Sequence, residues 1–101
     1  MIDVLPHYLE IVSKILQKHV PEYEVRAFGS RITQTAKPYS DLDLALVGKE
    51  KLAHKTIYAL KDDFEESDLP FRVDVLDWCS ISKEFREVIE KNFLIIQKGL
   101  L

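Results

Sequence analysis

The feature that most constrains this chain is the alternation of charged and apolar residues from Asp41 to Leu46. Side chains on a β-strand point alternately to opposite faces, so Asp41 and Asp43 would share one face, and Leu42, Leu44 and Leu46 the other. The leucines can then enter a core without burying the carboxylates. Two carboxylates about 6–7 Å apart on one strand repel each other unless a cation lies between them. Because all-oxygen ligands suit Mg²⁺ or Mn²⁺ better than zinc, the pattern predicts a divalent metal beside this strand.

A Gly-Ser pair a dozen residues earlier predicts an anion site. A strand over residues 23–28 leads to Gly29, and a short helical turn is expected from Ser30 to about Thr35. The free N–H groups and positive dipole end of a helix start favour an anion, and glycine lets the backbone approach an oxygen closely. Read alone, Ser30 is more simply an ordinary helix-capping serine. Its pairing with the two nearby aspartates favours a nucleoside triphosphate site instead.

Length and composition narrow the class of protein. The chain has 101 residues and 47% apolar content, which is typical of one globular domain spanning residues 1–101. No apolar run approaches the roughly 20 residues of a membrane-spanning helix, and the first residues lack the pattern of a signal peptide. We therefore expect a cytoplasmic protein with no membrane partner. The single cysteine, Cys79, cannot form an internal disulfide and is expected to be a small buried residue.

The distribution of charge favours one local anion site over a nucleic-acid surface. The net charge of −3 argues against broad binding to a nucleic-acid backbone, because that affinity comes from many Lys and Arg contacts to phosphates. Residues 25–40, however, contain Arg26, Arg31 and Lys37 and no acidic residue. This positive window surrounds the Gly-Ser pair, where it favours an anion.

Apolar periodicity and turn residues predict a mixed α/β chain. They predict helices over about residues 4–19, 52–66 and 80–91, and strands over about residues 23–28, 40–47, 71–77 and 93–97. Asp3 is expected to cap the first helix, and Ser80 or Ser82 the last, which would bury Phe85 and Val88. The last apolar segment could also extend that helix, but its β-branched residues favour a strand. The middle helix is the kind of crossover connection that parallel strands require.

A third carboxylate candidate lies inside the strand predicted over residues 71–77. Asp74 interrupts an otherwise apolar run, and burying an unpaired carboxylate costs several kcal/mol, so Asp74 should face a pocket, a basic partner or a metal. The simpler explanation is an ion pair with Arg72 or Arg26. Asp77 competes for the metal role, but the turn that follows it makes capping more natural. We prefer Asp74.

Three short motifs carry a resemblance to a known family: Gly29-Ser30-Arg31, Ser40-Asp41-Leu42-Asp43 and Arg72-Val73-Asp74. Together they resemble the DNA polymerase β nucleotidyltransferase superfamily, and within it the chain looks like a minimal nucleotidyltransferase, or MNT, domain. The resemblance implies an α/β (α+β) fold in which a small mixed β-sheet is flanked by helices. It also implies that Gly29 and Ser30 bind the triphosphate, and that Asp41, Asp43 and Asp74 are catalytic and ligate two Mg²⁺ ions.

The resemblance extends to the reaction and to a partner. It implies transfer of a nucleoside monophosphate to a protein acceptor. The nucleoside monophosphate is expected to be AMP, taken from ATP. Arg31 is expected to contact the leaving pyrophosphate, with Arg26 and Lys37 as weaker candidates. Many MNT domains are encoded beside a helical HEPN protein, so the chain is expected to be the antitoxin of a HEPN/MNT toxin–antitoxin pair.

Two alternatives remain at this point. Larger members of the superfamily carry a further helical domain that helps hold nucleotide or acceptor, and no such domain follows in these 101 residues. The chain could therefore be a catalytically silent subunit that binds nucleotide or masks its partner, or it could modify a small molecule. Residues 93–96 are apolar, so we expect an oligomer or hetero-oligomer that covers them. The base and the acceptor residue are not specified by the sequence.

Overall fold

The structure is a computed structural model that describes residues 2–99. Its elements, in chain order, are α1 (Pro6–His19), β1 (Glu24–Phe28), α2 (Ser30–Thr33), β2 (Leu42–Val47), α3 (His54–Glu66), β3 (Val73–Asp77), a 3₁₀ turn (Trp78–Ser80), α4 (Lys83–Glu90) and β4 (Leu94–Gln97). Every element predicted from the sequence is present, including the last strand. The predicted α/β class is confirmed.

The four strands form one mixed sheet in the order β3-β2-β1-β4. β1 pairs antiparallel with β2 on one side and with β4 on the other, whereas β2 and β3 are parallel. Parallel neighbours cannot be joined by a tight turn, and α3 supplies the crossover between β2 and β3. The predicted mixed sheet with flanking helices is therefore confirmed.

One face of the sheet carries the main core. The buried leucines of β2 lie on this face with Val25 and Ala27 of β1 and Val75 of β3. Helices α1 and α3 cover the face and contact each other, and Leu16 and Leu60 are fully buried between these elements. The alternation of β2 thus works as predicted, since the apolar side chains enter the core and leave the opposite face to the charged ones.

The second face is only partly covered, by α4 and the segments around it. Phe85 of α4 packs edge-on against Phe28 of β1, with ring centroids 6.0 Å apart. The Arg26 guanidinium lies 4.8 Å from the Trp78 ring centroid and 4.7 Å from that of Phe93. These contacts occupy the part of this face near β1 and β4, while Asp74 of β3 stays exposed on the same face.

Two local expectations are wrong. Asp3 does not cap α1: the N-cap is Leu5, which makes no side-chain cap, and the Asp3 N–H donates to the Arg31 carbonyl. Ser82 caps α4 as expected, but Phe85 and Val88 are 37% and 58% exposed. An eight-residue helix over a partly covered face has little to pack against, so α4 buries only one of its side chains fully.

The lengths and apolar content of the helices can be compared with those of a membrane-spanning helix. Within residues 2–99, no helix is both long enough and apolar enough to cross a membrane.

Candidate active site

Three carboxylates meet at the open side of the second face. Asp43 of β2 is the direct partner of Asp74 of β3 in the parallel ladder, so the two side chains project from the same face on neighbouring strands. Asp41 immediately precedes β2. The ladder begins directly after Asp41, where the Leu42 N–H donates to the Arg72 carbonyl at 2.9 Å. The structure therefore brings together the three aspartates that the sequence singled out.

The electrostatics of this group centre on Asp43. Burial, followed by the charges of Asp74 and Asp41, raises the pKa of Asp43 to about 6. A raised carboxyl pKa means that the ionised form is destabilised where it lies, and a divalent cation would remove that penalty. Within the described residues, no three acidic, His or Cys side chains are drawn together as a ready metal-ligand group. Asp41 and Asp74 lie near enough to Asp43 to raise its pKa, but the three do not already form a compact ligand set; their hard oxygen donors fit Mg²⁺ by type.

Gly29 and Ser30 lie directly beside this carboxylate group. Gly29 has φ +81°, in the region that favours glycine, and a Cβ added there would collide with the Asp43 carboxylate. Its backbone can approach Asp43 because it has no side chain. Ser30 is the first residue of α2, and its hydroxyl has no hydrogen-bond partner among residues 2–99. A polar atom beside the carboxylates is thus left for a ligand.

Arg31 occupies a different place from the one expected. Its side chain is buried, and its donors reach backbone carbonyls: Ser40 at 3.0 and 2.8 Å, Asp3 at 2.8 Å and Pro38 at 3.2 Å. The guanidinium also lies 4.3 Å from the centroid of the Phe71 ring. These contacts use the donors that a pyrophosphate would need, so the geometry gives Arg31 a structural role. The sequence carried no signal for it, because backbone carbonyls have no residue signature.

The remaining sequence candidates lie outside the group. Asp77 is on the core face and acts as a cap, accepting from the N–H groups of Cys79 at 3.1 Å and Leu52 at 2.9 Å. Arg26 pairs with Glu24 within β1. In the described part of the chain, Asp74 forms no ion pair with Arg26 or any other cation, which removes the simpler explanation for its position.

A cleft of about 630 Å³ opens on the β3 side of the carboxylates. It lies between the loop before β2, the second half of α3 and the loop before β3, and both Asp41 and Asp74 reach it. Neither β1 nor α2 contributes to its wall. The cleft and the Gly-Ser turn therefore flank the carboxylates from opposite sides.

Comparison with known proteins connects this geometry to a family. The family model for the polymerase beta nucleotidyltransferase domain matches residues 10–99. The chain is 50% identical over 97 residues to the probable protein adenylyltransferase MntA of Haemophilus influenzae, covering 96% of this chain and 85% of that protein.

Two solved structures have the same fold. One is a crystal structure of a toxin–antitoxin with AMP-PNP (TM-score 0.75, 22% identity, covering 91% of this chain and 73% of the other). The second is a tri-AMPylated Shewanella oneidensis HEPN toxin in complex with its MNT antitoxin (TM-score 0.67, 22% identity, covering 91% and 70%). With its carboxylate-bearing strands and the Gly-Ser turn in the expected places, this chain belongs to the polymerase beta nucleotidyltransferase family, as an MNT member homologous to MntA.

Proposed function

We propose that this chain is a protein adenylyltransferase that transfers AMP from ATP to a HEPN-type toxin, of which it is the antitoxin. The relative that is 50% identical carries the description of a probable protein adenylyltransferase. A structural relative is a complex with an AMPylated HEPN toxin, and another holds AMP-PNP. The observation that carries the proposal is the ladder pairing of Asp43 with Asp74 while Gly29 packs against Asp43. We place the reaction in the cytoplasm, which holds the ATP that it consumes.

Each site residue has a role that follows from its position. Asp41, Asp43 and Asp74 would hold two Mg²⁺ ions, which neutralise the triphosphate and lower the pKa of the acceptor hydroxyl. The Gly29 backbone and the Ser30 hydroxyl bind the phosphates that leave. Asp74, the exposed member of the group, accepts the proton of the acceptor hydroxyl. A bond forms between the acceptor oxygen and the α-phosphorus, the α–β bridging bond breaks, and pyrophosphate departs.

The open apolar area near the end of the described chain supports a hetero-oligomer. Leu94 and Ile95 of β4 are 38% and 43% exposed. Phe85 and Val88 of α4 are 37% and 58% exposed. Covering such side chains stabilises an assembly by removing apolar surface from water. We propose that the HEPN-type protein covers part of this area.

The test is transfer of label from ATP radiolabelled at the α-phosphate to the HEPN-type partner protein in the presence of Mg²⁺. The variant Asp41→Asn/Asp43→Asn should lower the transfer rate by about 100-fold or more, because it removes metal ligands. Asp62→Asn/Asp68→Asn is the matched control, since both residues are exposed on or beside α3 and neither lines the cleft beside the carboxylates. It should label the partner at the wild-type rate.

A different outcome would replace the proposal. If the wild-type chain binds the partner tightly and suppresses its toxicity without labelling it, the chain is a masking subunit and the aspartates have another role.

A further inference from the structure

The order of the strands places the parts of the site along one line. Gly29 directly follows β1, Asp43 lies on β2 and Asp74 lies on β3, and these strands are neighbours in this order. Neighbouring strands are about 4.8 Å apart. The Gly-Ser turn and Asp74 are therefore on opposite sides of Asp43, separated by about two strand spacings, roughly 10 Å.

Phosphoryl-group transfer gives this order a direction. In an in-line displacement, the attacking and leaving oxygens lie on opposite sides of the phosphorus. If pyrophosphate leaves on the side of Gly29 and Ser30, the acceptor hydroxyl has to approach from the side of Asp74. This is the side on which the cleft of about 630 Å³ opens. Its volume is in the range of pockets that hold small ligands or several side chains, about 300–1,000 Å³.

The wall of the cleft has a definite chemistry. Its charged groups are Asp41, Asp74, Glu65, Lys61 and Arg72. With Asp41 and Asp74 neutralised by the proposed Mg²⁺ ions, the other three sum to one positive charge. Within residues 2–99, neither Lys61 nor Arg72 forms an ion pair.

Two aromatic residues complete this wall. Phe71 and Tyr39 contribute to it, and Tyr39 is 82% exposed. Exposed aromatic rings and unpaired cations are groups that contact polypeptide side chains and carboxylates.

We propose that this cleft binds the segment of the acceptor protein that carries the modified hydroxyl, and that Lys61 and Arg72 select a segment with an acidic residue beside that hydroxyl. The inference rests on the proposed function, because it takes the direction of transfer from it. It adds the acceptor subsite and its preferred charge. Tyr39 and Phe71 flank the segment, while the nucleotide stays on the β1 side.

The kinetic test uses the full-length chain with the HEPN-type partner protein as acceptor and varies each substrate separately. Lys61→Glu/Arg72→Glu should raise KM for the acceptor by about tenfold or more, because it puts like charges opposite each other. The KM for ATP and the affinity for AMP-PNP with Mg²⁺ should stay within about twofold of the wild-type values. Lys51→Glu/Lys55→Glu makes the same charge change outside the cleft and should alter neither constant.

A second measurement reports position without relying on activity. A photoreactive benzoylphenylalanine at position 39 should crosslink to the acceptor segment in the complex with AMP-PNP and Mg²⁺, and the crosslinked peptide should contain the modified residue. The same group in place of Tyr58, which is exposed on α3 outside the cleft, should not crosslink to that peptide.

Three outcomes are decisive. A raised KM for ATP with an unchanged acceptor KM would show that the cleft holds the adenine base, and would overturn the inference. Unchanged constants in the charge-reversed variant, or a crosslink far from the modified residue, would overturn it as well. If the wild-type chain transfers no label at all, the proposed function fails first, which is a separate result.

Discussion

Asp43 is the central residue of the candidate site, because it lies between Asp74 and the Gly29 backbone. It pairs with Phe28, the residue before Gly29, on one side and with Asp74 on the other, and the Gly29 backbone packs against its carboxylate. Burial and the two nearby carboxylates raise the pKa of Asp43 to about 6. The affinity for metal and the stability of the metal-free chain should therefore both respond to pH near this value.

Mg²⁺ binding should weaken as the pH falls through about 6. A cation competes with the proton on Asp43, and one pH unit below the pKa only about one carboxylate in ten is ionised. We expect the Mg²⁺ affinity at about pH 5 to be roughly tenfold below that at about pH 8. Isothermal titration with Mg²⁺ at both values measures the difference.

The metal-free chain should show the opposite trend. The pKa of Asp43 is higher in the folded chain than its unfolded value of about 3.9. The contribution of Asp43 to the free energy of unfolding is therefore fully present below about pH 4, and it is lost as the pH rises through about 6. Thermal unfolding in EDTA should therefore show that Asp43→Asn gains stability over the wild type at high pH and not at low pH. Asp62→Asn is the control and should show no such pH-dependent gain. A constant difference between wild type and Asp43→Asn would contradict the assigned pKa.

At the scale of elements, Arg31 holds together the segments that carry the site. It belongs to α2, next to the Gly-Ser turn, and its side chain binds the loop that ends in Ser40, just before Asp41. It also covers Phe71, in the segment that leads into β3, and binds the Asp3 carbonyl near the N-terminus. One guanidinium thus connects three separate segments around the candidate site.

Arg31→Lys should lower both stability and turnover. Lysine keeps the charge but has no planar fork, so it cannot reproduce hydrogen bonds to three carbonyls, and the loss should be about 2–4 kcal/mol of unfolding free energy. We expect kcat for AMP transfer to fall by about tenfold, because Asp41 is no longer fixed. Denaturant unfolding and steady-state kinetics measure the two effects.

The control for this variant is Arg86→Lys. Arg86 donates to one carbonyl, that of Trp78 at 2.9 Å, outside the carboxylate group. Its substitution should cost less stability and leave kcat unchanged. If Arg31→Lys were as stable as the wild type and only lost affinity for pyrophosphate, Arg31 would contact the leaving group after all.

The elements also show what sequence reasoning could reach. Strands with strict alternation were predictable, because burying Leu42, Leu44 and Leu46 forces Asp43 to the other face. The exposure of Val88 was not predictable from the sequence. Helical periodicity shows which residues share a face, but it does not show how far the sheet extends beneath that face. The structural role of Arg31 was not predictable from the sequence either. Its partner Asp3 is close only in the folded chain, and Asp3 accepts the hydrogen bond through its backbone carbonyl.

On the scale of the whole molecule, the site spans three strands and so couples ligand binding to folding. A nucleotide with Mg²⁺ would contact residues just after β1, at the start of β2 and on β3, which the sheet and the Arg31 contacts hold together. Any ligand that binds only the folded state stabilises it, by about 2.7 kcal/mol at a ligand concentration of 100 times Kd.

Thermal unfolding with AMP-PNP and Mg²⁺ should therefore give a higher Tm than unfolding in EDTA, by about 10–20 °C for a domain of this size at saturating ligand. Asp41→Asn/Asp43→Asn should lose the shift. Lys51→Glu/Lys55→Glu should keep it, since these lysines lie away from the carboxylates. An equal shift in the aspartate variant would place the nucleotide elsewhere on the molecule.

The pairing of β1 with β4 covers one side of β1 that would otherwise be an edge of the sheet. Ala27 pairs with Leu94, and the Gln97 amide donates to the carbonyls of Val20 and Tyr23 at 2.8 Å. β4 lies far from β1 along the chain, so pairing these two strands costs more loop-closure entropy than joining β1 to β2. Detachment of β4 leaves β1 with an open edge, which can take up a strand from another molecule. By pairing with β1, β4 therefore protects the chain against strand exchange and aggregation through that edge.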